Sequence, residues 1–395
     1  MRFSINPHIE KVIFPPIVEI KRSVVGDAAP CGKPYIDLCQ AVPDYPPARE
    51  MVEALTARLH EPETALYTSD EGLPEVREAV CRRYRRMYGA SLSADSVCLT
   101  VGASQAFWLA MVALCAAGDE VILQVPFYFD YDMALGMMGI RRVYAPFREE
   151  SGGLPDAEAI EALITPRTRA ILLVTPSNPT GVVIPPELLD RLFETAKRAG
   201  VALVVDETYA DFIAGGARPH GLFGRPDWRD HFVHIMSFGK TYAMTGYRAG
   251  LLIGSERFLH QAMKAHDTMA ICQPTPTQIA LGYGLDRLDE WVASNRRMME
   301  RRHDRFREEF TAPGNPFALV ASGAFFAWIR HPYRGASGWS VARSLIEKAG
   351  LVTLPGEIFG PEMSRYLRVA FGNIVEERIP EAVSRFRELK GEEAG

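Results

Sequence analysis

The chain has 395 residues, 47% of them hydrophobic and 24% charged, with a formal net charge of -5. That length exceeds one ordinary core, so two or three domains of roughly 150 residues are expected, and the near-average composition implies no polyanion-binding surface. Six scattered cysteines, Cys31, Cys39, Cys81, Cys98, Cys115 and Cys272, form no C-x-x-C pair, which points to buried free thiols in a reducing compartment rather than a disulfide or zinc framework.

The first ten residues carry Pro7 and Glu10 where a secretory signal needs a sustained apolar stretch. The longest apolar runs, such as 170–174 and 201–205, are far too short to span a bilayer. A cytoplasmic protein with neither membrane nor nucleic-acid partners is expected. A Pro-rich break at 43–47 precedes an amphipathic helix at 48–59. From 96 to 254, short apolar runs at 96–101, 120–125, 142–145, 170–175, 202–205, 232–236 and 249–253 alternate with helical patterns at 104–116, 131–138, 156–164, 186–199 and 256–266. Such alternation predicts a mainly parallel sheet covered by helices on both faces. The stretch 274–310 reads as one long or broken helix. Strand-like pieces at 318–320, 324–329 and 366–371 then mix with helices at 340–348 and 377–388, which predicts a second, smaller α+β domain.

Ligands of open α/β sheets sit beyond the carboxyl ends of the strands, and four such ends carry unusual polar residues. In Thr100-Val101-Gly102-Ala103-Ser104 a strand leads through small residues into a helix; the free N–H groups there suit a phosphate, although a plain helix start explains the pattern as well. In Thr175-Pro176-Ser177-Asn178-Pro179-Thr180-Gly181 two prolines flank Asn178 and fix its backbone, while an ordinary turn explains most such sequences. Asp206 and Glu207 follow a buried strand and fall on opposite faces. An ionised Asp206 there needs a cationic partner unless it is simply solvated at a loop start. The fourth end, Ser237-Phe238-Gly239-Lys240-Thr241-Tyr242, places a lysine among small and hydroxylic neighbours, with Arg248 soon after. Alone Lys240 reads as a surface lysine; beside a phosphate-binding arginine it reads as a reactive amine.

Ser-Asn-Pro-Thr-Gly at 177–181, Asp-Glu-x-Tyr at 206–209, Ser-x-x-Lys at 237–240 and the later Arg248, in that order, resemble the class I/II aminotransferases among the fold-type I enzymes that use pyridoxal 5'-phosphate. The resemblance runs over nearly the whole chain. It implies an α/β fold with a large domain built on a mainly parallel seven-stranded sheet (46–285), a smaller α+β domain (286–395) and an N-terminal segment joining the latter (1–45). By the same resemblance Lys240 is the covalent anchor of the cofactor and then the base that moves the substrate's α-proton. Asp206 keeps the cofactor's ring nitrogen protonated, and Asn178 and Tyr209 bind its phenolic oxygen. Gly102, Ala103, Ser104, Ser237 and Arg248 cradle its phosphate, and Tyr128, in Pro126-Phe127-Tyr128, stacks on its ring. Tyr67 reaches the phosphate of a neighbouring subunit, which implies a homodimer. Arg368 grips the substrate's α-carboxylate, with Asn178 and Ala41 beside it.

Two positions depart from the family. Ala41 stands where many relatives carry Gly, and Ser104 stands where one aspartate-specific branch carries a Lys for a distal carboxylate. The second departure, with the mostly uncharged stretch 269–274 that resembles a partner-pocket segment, favours neutral or aromatic donors over dicarboxylic ones. The implied activity is transfer of the amino group of an L-α-amino acid to a 2-oxo acid by a ping-pong mechanism. A β-elimination lyase shares Lys240, Asp206 and Arg368 and is the alternative. A cofactor-sensing regulator would need an attached DNA-binding domain, for which the roughly 45 residues before the Pro-rich break are too few.

Overall fold

A computed structural model describes residues 3–389. Thirteen strands occur among them: β1 (Ile36–Asp37), β2 (Val97–Val101), β3 (Glu120–Gln124), β4 (Arg141–Ala145), β5 (Thr168–Val174), β6 (Ala202–Asp206), β7 (Phe232–Ser237), β8 (Ala249–Ile253), β9 (Ala318–Gly323), β10 (Phe326–Arg330), β11 (Leu351–Val352), β12 (Leu354–Pro355) and β13 (Tyr366–Val369).

Seven of them form one sheet in the order β2-β8-β7-β6-β5-β3-β4. Successive residues of its central strands alternate between two buried clusters. Ala170, Leu172 and Val204 pack on one face, while Ile171, Leu173, Leu203 and Val205 pack on the other. Both faces are therefore covered, as the near-continuous apolar runs require. Val174 pairs with Asp206, and Asp206 with Ile235 in parallel register, so the loops leaving β5, β6 and β7 emerge side by side. The strand β8 runs antiparallel to both neighbours. Its entry rather than its exit thus lies at the carboxyl edge, and Val101 at the end of β2 faces Ala249 at the start of β8.

A four-stranded antiparallel sheet, β12-β13-β10-β9, carries Arg368 in β13 opposite Trp328 and Leu354. The pairing of β1 with β11 brings the segment 38–41 toward that sheet, and the Leu38 carbonyl accepts from Ala370 N–H at 2.8 Å. Gly181 and Gly323 meet where the loop after β5 crosses β9; a Cβ on either would strike the other's backbone.

The expected helix at 274–310 is broken into Thr275–Arg287 and Asp289–Thr311. The helix Pro74–Tyr88 had no counterpart among the expected elements. Its buried stripe of Val76, Ala79, Val80 and Tyr84 is interleaved with arginines, and Gly89 ends it with φ +62°. All six cysteines are free, but only Cys39, Cys98 and Cys272 are buried; Cys81 and Cys115 are half-buried and Cys31 is exposed. No helix of the described residues is long and apolar enough to cross a membrane.

Candidate active site

The carboxyl edge of the large sheet and the small sheet enclose a cavity of about 300 Å³. Ala41, Ala103, Ser104, Tyr128, Asn178, Asp206, Tyr209, Ser237, Lys240, Arg248 and Arg368 all line it. Gly102 lies just behind, with φ +75°, and a Cβ there would come within 2.5 Å of the Arg248 guanidinium. Tyr67 is outside the cavity of its own chain and 76% exposed.

Lys240 sits in the short helix Phe238–Thr241, which Ser237 caps by accepting from Gly239 N–H at 3.2 Å. Its Nζ donates to the Ala41 carbonyl. Burial, then the nearby Arg368 and Arg248, push its amine down to about 8 from the ordinary 10.5. A buried amine between two guanidinium groups is costly to protonate.

Asp206 is almost fully buried. One oxygen accepts from Thr208 N–H at 2.9 Å and Thr208 Oγ1 at 2.7 Å, and the other from the Tyr131 hydroxyl at 2.5 Å. Burial nonetheless raises its carboxyl above the usual range. The three donors therefore compensate incompletely, and a cation at this carboxylate would complete the balance.

Arg368 presents the opposite imbalance. It is 2% exposed, and Nη1 donates to Asn178 Oδ1 at 2.8 Å and Nη2 to the Cys39 carbonyl. Its Nε has no acceptor, and among the described residues no carboxylate pairs with it. Phe326 and Phe359 flank the guanidinium, with ring centroids 5.1 and 5.3 Å away. Burial pulls its pKa down, the signature of a charge awaiting an anion.

Arg248 adopts φ +60° and holds its guanidinium through Nη1 to the Thr245 carbonyl at 3.1 Å, over Gly102. The reversed β8 explains this meeting, since the residue before it lies beside the residue after β2. With every group counted as ionised, Lys240, Arg248 and Arg368 against Asp130 and Asp206 leave the cavity a formal charge of one positive.

Several lining residues were not among the expected ones: Ile17, Gln40, Asp130, Tyr131, Val174 and Thr208. Thr208 lies two residues after Asp206, a spacing that allows a turn from side chain to backbone. Tyr131 lies one helical turn beyond Tyr128, whose hydroxyl donates to Asp130 at 2.5 Å. Nothing local marks Ile17 or Gln40, which tertiary packing delivers. Glu207, across the sheet from Asp206, accepts from Tyr88 at 2.8 Å and lies 3.1 and 3.2 Å from His220 and His234.

The model of the family "Aminotransferase class I and II" matches residues 33–386. An aromatic aminotransferase of Arabidopsis thaliana is 31% identical over 358 residues, 89% of either chain. An aspartate aminotransferase of Pyrococcus horikoshii is 30% identical over 354 residues, also 89% of either chain. The solved aspartate aminotransferase of Thermus thermophilus with maleate superposes with a TM-score of 0.88 at 27% identity, covering 98% of this chain and 99% of its own.

Proposed function

Because the chain belongs to the class I and II aminotransferase family and is a transaminase, we propose that it holds pyridoxal 5'-phosphate in this cavity and moves the amino group of an L-α-amino acid to a 2-oxo acid by a ping-pong mechanism. The residues present fit that cofactor. Asp206 is a buried carboxylate short of a cation, which a protonated ring nitrogen satisfies. Gly102 leaves bare backbone under the Arg248 guanidinium, which suits a phosphate dianion at a helix start. Ser104 and Ser237 line the same cavity and add hydroxyls, while Tyr128 supplies an aromatic face. Bound there, the cofactor supplies an electron-withdrawing ring for the electrons left when a Cα–H bond breaks.

The chain's own groups supply the rest. Lys240 Nζ, depressed to about 8, carries a useful fraction of neutral amine near neutral pH and so acts as covalent anchor and then as base toward the substrate's α-proton. Arg368 binds the α-carboxylate through its planar fork, and the Asn178 amide that already holds Nη1 fixes the plane of that fork. Tyr209, which lines the same cavity as Asn178, would hydrogen-bond the cofactor's phenolic oxygen through its hydroxyl. Asp206, tied by Tyr131 and Thr208, is held in place for the ring nitrogen. The observation that carries the reading is a buried amine, a carboxylate short of a cation and a guanidinium short of an anion facing one cavity.

Donor choice is inferred from what else lines that cavity. Apart from the three cations already assigned, the wall offers Ile17, Gln40, Ser104 and Asp130, which favours neutral or aromatic over dicarboxylic donors. The relatives carry aromatic and aspartate names at nearly equal identity, so their names do not choose. A homodimer is part of the proposal: Tyr67 and Met269, 76% and 47% exposed, suit a partner's site better than solvent. The test is a panel of amino acids supplied without an oxo acid, followed by addition of 2-oxo acids. Stoichiometric conversion of the cofactor by neutral donors, reversed by an oxo acid, is expected. Catalytic release of pyruvate and ammonia would contradict it.

A further inference from the structure

Behind the Lys240 helix lies a second cavity, of about 490 Å³, that the reaction does not use. Four arginines line it, Arg83, Arg86, Arg218 and Arg296, against two carboxylates, Asp211 and Asp289. The carboxylates are already engaged. Asp211 pairs with buried Arg83 and accepts from Thr241 Oγ1 at 2.6 Å, and Asp289 lies 3.1 Å from Arg86.

The other two guanidinium groups are not matched in this way. Arg218 is exposed, donates only through Nε to the His220 carbonyl at 3.1 Å, and has no carboxylate partner among the described residues. Arg296 has a buried Nε without an acceptor, and its nearest carboxylate, Glu300, is 3.8 Å away and is taken by Gly215 N–H at 2.7 Å. Both heads rest on glycines: Arg218 over Gly89 and Arg296 over Gly216, each with positive φ. A side chain at either glycine would crowd the guanidinium, so the two forks have room at the cavity wall. Even with Glu300 counted the group keeps a net positive charge.

We propose that this cleft is a binding site for the phosphate group of a small organic phosphate, held by Arg218 and Arg296 over a floor of Arg83 and Asp211. Planar guanidinium forks match phosphate oxygens, and the volume admits more than the phosphate alone. The floor hydrogen-bonds Thr241, the residue after Lys240, so the site backs directly onto the reactive helix.

The test is titration of the cofactor-loaded enzyme with inorganic phosphate at constant ionic strength set with chloride, read by calorimetry and by thermal unfolding. Cofactor loading keeps the probe out of the Arg248 cradle. Saturable binding and stabilisation by phosphate beyond chloride are expected. Arg218→Gln and Arg296→Gln should each weaken the binding about tenfold, the loss of one charge-assisted hydrogen bond. Arg297→Gln, on the same helix but paired with Glu290 at 2.7 Å, should leave it unchanged. Arg218 is exposed, so its variant folds and keeps the test decisive. No saturation beyond the chloride control, or an affinity unchanged from the parent's in both variants, overturns the proposal.

Discussion

Replacing Arg368 by Gln separates substrate binding from structure. Two charge-assisted hydrogen bonds to an α-carboxylate are worth about 1.5–3 kcal/mol each, and a Gln amide restores about 1 kcal/mol. The net loss of about 2–5 kcal/mol corresponds to a fall of roughly 30- to 5000-fold in kcat/KM for an amino acid. Stability should move the other way or not at all. The parent buries a guanidinium with no carboxylate partner, at a desolvation cost of several kcal/mol. The variant relieves that cost and leaves at most one acceptor, Asn178 Oδ1 or the Cys39 carbonyl, short of a donor at about 1–3 kcal/mol. The cofactor-free variant should therefore unfold at the parent's temperature or above it. Activity is measured with an amino acid and, in parallel, with a primary alkyl amine that has no carboxylate. Only the first should suffer. Equal losses on both donors, or a sharp drop in melting temperature, would refute the assignment of Arg368 to the carboxylate.

The rate of cofactor capture by the apoprotein should rise with pH through a midpoint near 8, the value to which burial, Arg368 and Arg248 push the Lys240 amine, because the neutral amine is the nucleophile. In Arg368→Gln, with one cation removed, that midpoint should move up toward the ordinary lysine range; a midpoint unmoved in stopped-flow absorbance would contradict the Coulombic part of the argument. Tyr131→Phe removes one of three donors to Asp206 at about 0.5–1.5 kcal/mol, so a three- to tenfold fall in kcat with an unchanged fold by circular dichroism is expected. Gly102→Ala combines φ +75° with a Cβ 2.5 Å from the Arg248 guanidinium. Its cofactor affinity should drop at least about tenfold in equilibrium dialysis, since positive φ alone costs a non-glycine residue about 1 kcal/mol or more.

The polar residues at the strand ends were readable because each sits within a few residues of a strand whose pattern is plain. The rule that ligands lie beyond the carboxyl edge marked Asn178, Asp206 and Lys240 as candidates, the order of the motifs with the later Arg248 carried their roles through the family resemblance, and the cavity brings all four together. The reversal of β8 was not readable, because a short apolar run has the same pattern in either direction; it nevertheless sets Arg248 above Gly102. Ile17 and Gln40 were also hidden. They reach the cavity through the β1–β11 pairing and the packing around buried Ile20, contacts between distant parts of the chain that leave no local pattern. The helix Pro74–Tyr88 escaped notice because Arg83, though charged, is buried against Asp211, which obscures the apolar stripe. Tyr128 could have been an ordinary core aromatic, but its ring lines the cavity and its hydroxyl reaches Asp130.

The central claim is that Lys240 carries the cofactor. Borohydride reduction of the purified, cofactor-loaded protein, followed by peptide mass mapping, tests it without depending on the donor. The reduced cofactor should be found on Lys240 alone and be absent from Lys240→Ala. A label on another lysine, or one that survives in the Lys240→Ala protein, would contradict the account.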